Sequence, residues 1–123
     1  MQQRLTDDTS IYLQISRMIE TDILRGILLE EERVPSTNEL AKLYTINPAT
    51  AAKGINLLVD EGILYKKRGI GMFVSPGAAE KIRNRRKEEF YHQKIRELLA
   101  EARRLGITKA ELIDQINKRG EEK

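Results

Sequence analysis

The sequence contains no cysteine, and aromatic residues make up only 5% of its 123 residues. Without cysteine, a disulfide framework, a thiolate metal site and a cysteine nucleophile are all excluded. No apolar run approaches the length of a membrane span, and the first ten residues, MQQRLTDDTS, lack the apolar segment of a signal peptide. The sequence therefore predicts a cytoplasmic protein without a membrane partner, and its length suits one modest core.

Charged residues are abundant, at 33% of the chain, and the net charge of +3 is unevenly distributed. Residues 1–32 carry three basic and seven acidic side chains, a net charge of −4, whereas residues 33–75 carry six and three, a net charge of +3. The remaining 48 residues carry 13 basic and 9 acidic side chains. Positive charge on residues 33–75 fits attraction to phosphate, although many unrelated proteins have similar patches.

A first helix is predicted near the N-terminus. Apolar residues at three- and four-residue spacing begin at Ile11, and either Thr9 or Ser10 can cap this helix. Gly26 is placed to end it in a left-handed conformation. An acidic connector, residues 27–34 (ILLEEERV), follows.

Two short helices joined by a tight turn are predicted next. Residues 36–39 (STNE) form a capping box, in which the serine hydroxyl accepts from the glutamate N–H and the glutamate carboxylate accepts from the serine N–H. Asn47 is expected to cap the second helix, with Pro48 at its first position. This helix is predicted to run to about Glu61 and to close at Gly62. The residues expected on the buried sides are Leu40, Ala41, Leu43, Ala51, Ile55, Leu58 and Val59.

The start of the second of these helices carries small residues, from Pro48 to Ala52, followed by Lys53. Small side chains at this position let the backbone approach phosphates and base edges, and the unpaired N–H groups favour an anion. Any small helical hairpin also needs caps and small residues, so this pattern alone leaves a purely structural role open.

A β-hairpin is predicted from two short apolar-rich segments, residues 63–66 and 72–75, on either side of a basic, glycine-rich tip. Three consecutive cations before the tip would repel one another without an anion, and a phosphate backbone supplies one. Arg68 is also suited to the minor groove. The alternative is a solvated edge strand that is blunted with charge against aggregation.

The order helix, helix, hairpin over residues 35–74 is the plan of a winged helix-turn-helix, which lays one helix in the major groove of DNA and a β-ribbon beside it. The predicted fold class is therefore mostly α with a small β-hairpin wing (α+β), followed by two C-terminal helices. The residues predicted to contact DNA are Ser36, Thr37, Asn38, Asn47, Pro48, Ala49, Thr50, Lys53, Lys66, Lys67, Arg68, Gly69 and Gly71.

Residues 77–123 predict two helices, of which the first is long and basic and ends at Gly106. The second begins with a capping box at Thr108 and Glu111. Neither helix buries its apolar stripe well alone, so packing against a symmetry mate is the leading interpretation, and folding back on the preceding domain is the alternative. The residues predicted to form a dimer contact are Tyr91, Ile95, Leu98, Leu99, Ala102, Leu105, Leu112, Ile113 and Ile116.

Two further features of this region have ordinary interpretations. The basic run at residues 81–87 fits a DNA-facing linker, but a solvated helix face is commoner. His92 follows Glu88 by four residues, yet a lone histidine without cysteine partners rarely binds a metal. No metal and no cofactor are predicted.

The motifs resemble the GntR family of bacterial transcription regulators. The matching pieces, in order, are residues 15–26, residues 35–41 (PSTNELA), residues 47–62 and residues 69–74 (GIGMFV). The opening of the second predicted short helix, NPAT, together with Lys53 and the short tail, is similar to the YtrA-like branch of the family.

Three positions depart from the family pattern. Many relatives carry glycine where Glu31 stands, arginine where Asn38 stands and a basic residue where Ala52 stands. These departures bear on the number of phosphate contacts and on the operator sequence rather than on the fold.

The resemblance implies a DNA-binding domain over residues 1–76 and a helical dimerisation region over residues 77–123. It further implies a homodimeric repressor that binds an inverted-repeat operator in double-stranded DNA, and leaves a small-molecule effector open. The alternative is a winged-helix protein-interaction module that binds no DNA. An enzyme is not predicted, because no grouping of nucleophile, base and oxyanion donors is visible.

Overall fold

The computed structural model describes residues 4–5 and 10–121, and this part of the chain contains six α-helices and one β-hairpin. In addition, the chain forms a π-helical segment, Tyr91–Ile95, that no sequence pattern predicted. The mostly α fold with a hairpin wing is confirmed. The elements are α1 (Ile11–Leu24), α2 (Thr37–Tyr44), α3 (Pro48–Asp60), β1 (Leu64–Lys67), β2 (Gly71–Val74), α4 (Ala78–Phe90), α5 (Arg96–Arg104) and α6 (Lys109–Gly120).

The chain divides into two compact units, Met1–Asn84, here called the head, and Arg85–Lys123, here called the tail. The head has one apolar core that draws on α1, α2, α3, both strands and the first turns of α4. Ala78 and Ile82 of α4 are fully buried in this core. The largest fully buried side chains of the core are Ile15, Ile19, Leu40, Ile55, Leu58, Ile63, Leu64, Ile82, Val34 and Val74.

The helical periodicity predicted most of this core correctly, but Leu43 was wrong. Its side chain is 60% exposed, whereas Leu40 and Ala41 are buried. Leu43 follows Leu40 by three residues, which rotates it by about 60° around the helix axis and away from the face that packs on α3. Val59 lies at the margin of the core and is only partly buried.

The predicted caps of α2 and α3 are confirmed. The Glu39 N–H donates to the Ser36 hydroxyl at 3.1 Å, and the Ser36 N–H donates to the Glu39 carboxylate at 3.2 Å. The Asn47 side chain accepts from the Ala49 N–H at 2.8 Å, with Pro48 at the first helical position. Between the two helices Thr45 has a φ of 52°, and this left-handed residue turns the chain sharply.

The start of α1 differs from its prediction. Ser10 occupies the N-cap position, but its side chain makes no capping hydrogen bond. Thr9, the other predicted cap, lies outside the described residues. The predicted end is confirmed, because Gly26 follows the helix with a φ of 75°.

The hairpin pairs β1 with β2 in antiparallel register, with Tyr65 opposite Phe73 and Lys67 opposite Gly71. The acidic connector extends this sheet, which the sequence pattern did not predict. The Val34 N–H donates to the Met72 carbonyl at 2.9 Å, and the Val74 N–H donates to the Glu32 carbonyl at 3.0 Å. Three consecutive glutamates hide the alternation that normally marks a strand.

The tail contains the second capping box, at Thr108 and Glu111, with hydrogen bonds of 3.1 Å in both directions. Gly106 has a φ of 72° and separates α5 from α6, as predicted. In the part of the chain that the structure describes, every helix is too short or too polar to cross a bilayer.

Candidate nucleic-acid interface

Helix α3 has one buried face and one open face. Ala51, Gly54, Ile55 and Leu58 are buried in the head. At the start of the helix Asn47, Pro48 and Ala49 are exposed, Thr50 is half-buried, and Lys53 is exposed one turn later. The N-cap and the four α3 residues predicted to contact DNA therefore all retain surface that a ligand can reach.

Lys53 has a neighbour that the sequence did not predict. Its Nζ atom lies 4.1 Å from the centroid of the Tyr12 ring, which belongs to the first turn of α1. A cation over an aromatic face is attracted by the ring quadrupole, so Tyr12 restricts where the Lys53 ammonium lies. The two side chains border a shallow cleft of about 500 Å³ on the outer side of α3.

The first turn of α2 contributes the next group of predicted residues. Ser36 and Thr37 are half-buried and Asn38 is exposed. The Ser36 hydroxyl already accepts the Glu39 N–H, so its O–H proton and one lone pair remain for a further partner. The hydrogen bonds from Ser36, and to a smaller extent the charge of Arg33, hold the pKa of the Glu39 carboxyl below its usual value.

The hairpin presents its cations to solvent. Lys66, Lys67, Arg68 and Gly69 are exposed. Lys67 packs its ammonium 4.5 Å from the centroid of the Phe73 ring, so the strand itself holds one of the three cations in place. Gly69 has a φ of 76° in the tip, a value that L side chains rarely adopt.

Gly71 has a φ of 146°, a backbone conformation that L side chains rarely adopt, and it lies beside the Arg33 side chain. A Cβ atom there would lie 2.8 Å from the Nε atom of Arg33. The same guanidinium reaches Glu39 at 3.5 Å, so Arg33 connects the hairpin to the first turn of α2. Arg33 was not predicted as a site residue, because its position beside β2 depends on the non-local pairing of the connector.

Glu31 stands at a position where many relatives carry glycine. Its φ is 68°, a left-handed conformation in which glycine is unstrained. The carboxylate of Glu31 accepts a hydrogen bond from the Tyr65 hydroxyl on β1, and this bond raises the pKa of Tyr65. A side-chain contact to the hairpin thus accompanies the strained backbone.

The predicted dimerisation residues lie in the tail, and most are open to solvent. Seven of them are between 40% and 67% exposed. Leu112 is half-buried, and Ala102 is buried between α5 and α6. Leu98, Leu105 and Leu112 line a groove of about 310 Å³ on these helices. The seven exposed residues are Tyr91, Ile95, Leu98, Leu99, Leu105, Ile113 and Ile116.

Residues 11–74, which contain the capped helix pair and the hairpin, match the family model for bacterial regulatory proteins of the gntR family. The chain belongs to the GntR family. This match confirms the predicted resemblance and covers α1, α2, α3 and both strands.

Relatives of two kinds are similar to this GntR chain. The HTH-type transcriptional repressor YtrA of Bacillus subtilis is 30% identical over 88% of this chain and 82% of its own length, which confirms the YtrA-like prediction. By contrast, the chain spans only 27% of the uncharacterised regulator YurK of Bacillus subtilis, at 36% identity over 54% of this chain. It likewise spans 19% of the arabinose metabolism repressor of Halalkalibacterium halodurans, at 37% identity over 57% of this chain.

Solved structures agree with this assignment. A GntR-family transcriptional regulator from Bacteroides thetaiotaomicron is 37% identical, with a TM-score of 0.73 over 89% of this chain and 94% of that one. The DNA-binding domain of AraR, solved in complex with operator ORX1, is 32% identical, with a TM-score of 0.52 over 61% of this chain and 92% of that one. The head therefore has the fold of a domain that binds operator DNA.

Proposed function

We propose that this chain, a DNA-binding transcriptional regulator of the GntR family, acts as a homodimeric repressor on an inverted-repeat operator. The observation that supports this most is the structure of the head. An exposed cationic hairpin lies next in the chain to α3, the proposed recognition helix, and the first residues of α3 are small and accessible. The AraR domain, which is similar to the head, is bound to an operator in its crystal structure.

Different parts of the head have different roles in the proposed complex. The start of α3, from Asn47 to Lys53, approaches the major groove. The first turn of α2 positions the DNA backbone through Ser36, Thr37 and Asn38. The hairpin then holds the adjacent phosphates and the minor groove with its cations. The residues assigned to the hairpin contact are Lys66, Lys67, Arg68, Gly69 and Gly71.

The exposed apolar stripe of the tail supports a homodimer. Seven large apolar or aromatic side chains of the tail are 40–67% exposed. So many exposed apolar side chains in one region are typical of an interaction surface and not of isolated surface residues. Covering them with the same surface of a second copy gives an isologous contact, and the resulting two-fold axis suits two half-sites in opposite orientation.

The proposed function is tested by a gel shift on the promoter of the operon that encodes the chain, with a scrambled promoter as the competitor. Analytical ultracentrifugation of the same sample establishes the oligomeric state. The expected result is a dimer that shifts the promoter and protects a symmetric footprint. The scrambled competitor should not displace it from the promoter. A folded dimer that shifts neither DNA would overturn the proposal and favour a protein-interaction module.

A further inference from the structure

The outer face of α3 carries a short set of side chains at helical spacing. Ala52, Lys53 and Asn56 follow Ala49 by three, four and seven residues. The four side chains therefore share one face of the helix. They border the same shallow cleft of about 500 Å³. Homeodomains read base edges from recognition-helix positions with this spacing.

The chemistry of these four side chains differs sharply. The two alanines have no hydrogen-bonding group, and their small size lets a base edge come close to the helix. The Lys53 ammonium rests 4.1 Å from the centroid of the Tyr12 ring, at the side of the face. Asn56 is exposed and is the member of this set that offers a donor and an acceptor together.

An exposed carboxamide has a specific counterpart in the major groove. Adenine presents the N7 acceptor beside the N6 donor, and an asparagine side chain pairs with both atoms at once. One turn beyond Asn56, the exposed carboxylate of Asp60 would be repelled by phosphate, so the contact surface ends near Asn56.

We infer that Asn56 is a specificity-determining residue, and that its carboxamide recognises adenine at one position of each operator half-site. This inference rests on the proposed DNA-binding function, because it assigns base readout within the same interface. Asn56 was not among the residues predicted from the sequence to contact DNA, because it lies in the third turn of α3, beyond the start of the helix.

The test is selection of binding sites from a random DNA library by the wild-type protein and by Asn56→Ala. Asn117→Ala is the matched control, since Asn117 is also an exposed helical asparagine but lies on α6. The wild-type protein is expected to select adenine at one symmetric position of each half-site. In Asn56→Ala the preference there should fall by roughly 5- to 150-fold, the range for a bidentate pair.

A second variant changes the hydrogen-bonding chemistry of the side chain while keeping its size. Asn56→Asp keeps only acceptors, so the preference at the same position should change from adenine to cytosine. Unchanged base preferences in both variants would overturn the inference and leave the proposed function standing. Selection of guanine or cytosine by the wild-type protein at the position that Asn56→Ala relaxes would also overturn it. Failure of the wild-type protein to enrich any sequence would instead defeat the proposed function itself.

Discussion

The Ser16 hydroxyl donates a 2.6 Å hydrogen bond to the carbonyl oxygen of Gly54, and this bond joins α1 to α3 inside the head. Gly54 allows the close approach because it has no side chain. A Cβ atom at this position would lie 2.7 Å from the Tyr12 carbonyl oxygen and 3.1 Å from two side-chain carbons of Ile15. The position of the recognition helix therefore depends on a glycine in its middle.

Gly54→Ala is expected to destabilise the head. Alanine gains about 1 kcal/mol in helix propensity. Overpacking costs about 1–3 kcal/mol, and a backbone oxygen cannot move aside as a flexible side chain can, so a net loss of up to about 2 kcal/mol is expected. Urea unfolding measures the difference. Gly120→Ala on α6 is the matched control, because nothing lies within 4 Å of its added Cβ, and that variant should not lose stability.

At Glu31 the usual order of alanine and glycine should reverse. Both substitutions remove the carboxylate that accepts from Tyr65, but only glycine relieves the left-handed backbone. Glu31→Gly is therefore expected to be more stable than Glu31→Ala by about 1 kcal/mol. The same pair of substitutions at Glu88, an exposed residue of α4, should show alanine as the more stable residue. Equal stabilities at position 31 would contradict the role of the backbone.

The two capping boxes make stability depend on pH. Hydrogen bonds from Ser36 and from Thr108 hold the pKa values of Glu39 and Glu111 below the ordinary value of 4.5. Because the folded-state pKa values are depressed, this stabilisation is present above about pH 4.5 and is lost as the pH falls through the folded-state values.

Glutamine tests this dependence cleanly, because it keeps the capping hydrogen bond without a titrating proton. In urea unfolding between pH 7 and pH 3, the wild-type protein should lose more stability on acidification than Glu111→Gln. Parallel curves for the two proteins would show that the α6 cap does not contribute to the acid transition.

A charge within the exposed stripe of the tail should dissociate the proposed homodimer. Leu98→Glu places a carboxylate beside the groove on α5 and α6, where burial against a second copy would be costly. Sedimentation velocity is expected to show a monomer, and circular dichroism is expected to show unchanged helix content. Leu29→Glu is the matched control in the head, since Leu29 is also exposed, and it should remain a dimer. Dimerisation of both variants alike would place the dimer contact elsewhere.

Local sequence signals predicted much of this molecule. The predictions of helix caps at Ser36 and Thr108, and of helix ends at Gly62 and Gly106, were correct. Each of these features depends on contacts within a few residues of the sequence. Contacts between distant segments were not predicted. Pairing of the connector with β2 places Arg33 over Gly71, and the α1–α3 crossing places Tyr12 beside Lys53, so both depend on tertiary packing.

The central claim, that the head binds DNA through its cationic hairpin, is tested most directly by the salt dependence of affinity for Arg68→Ala. Arg25→Ala is the matched control, because Arg25 is exposed but lies about 20 Å along α1 from Tyr12. The plot of log K against log salt for Arg68→Ala should be shallower than that of the wild-type protein by about one unit per lost phosphate contact. A slope equal to those of the wild-type protein and Arg25→Ala would contradict the claim.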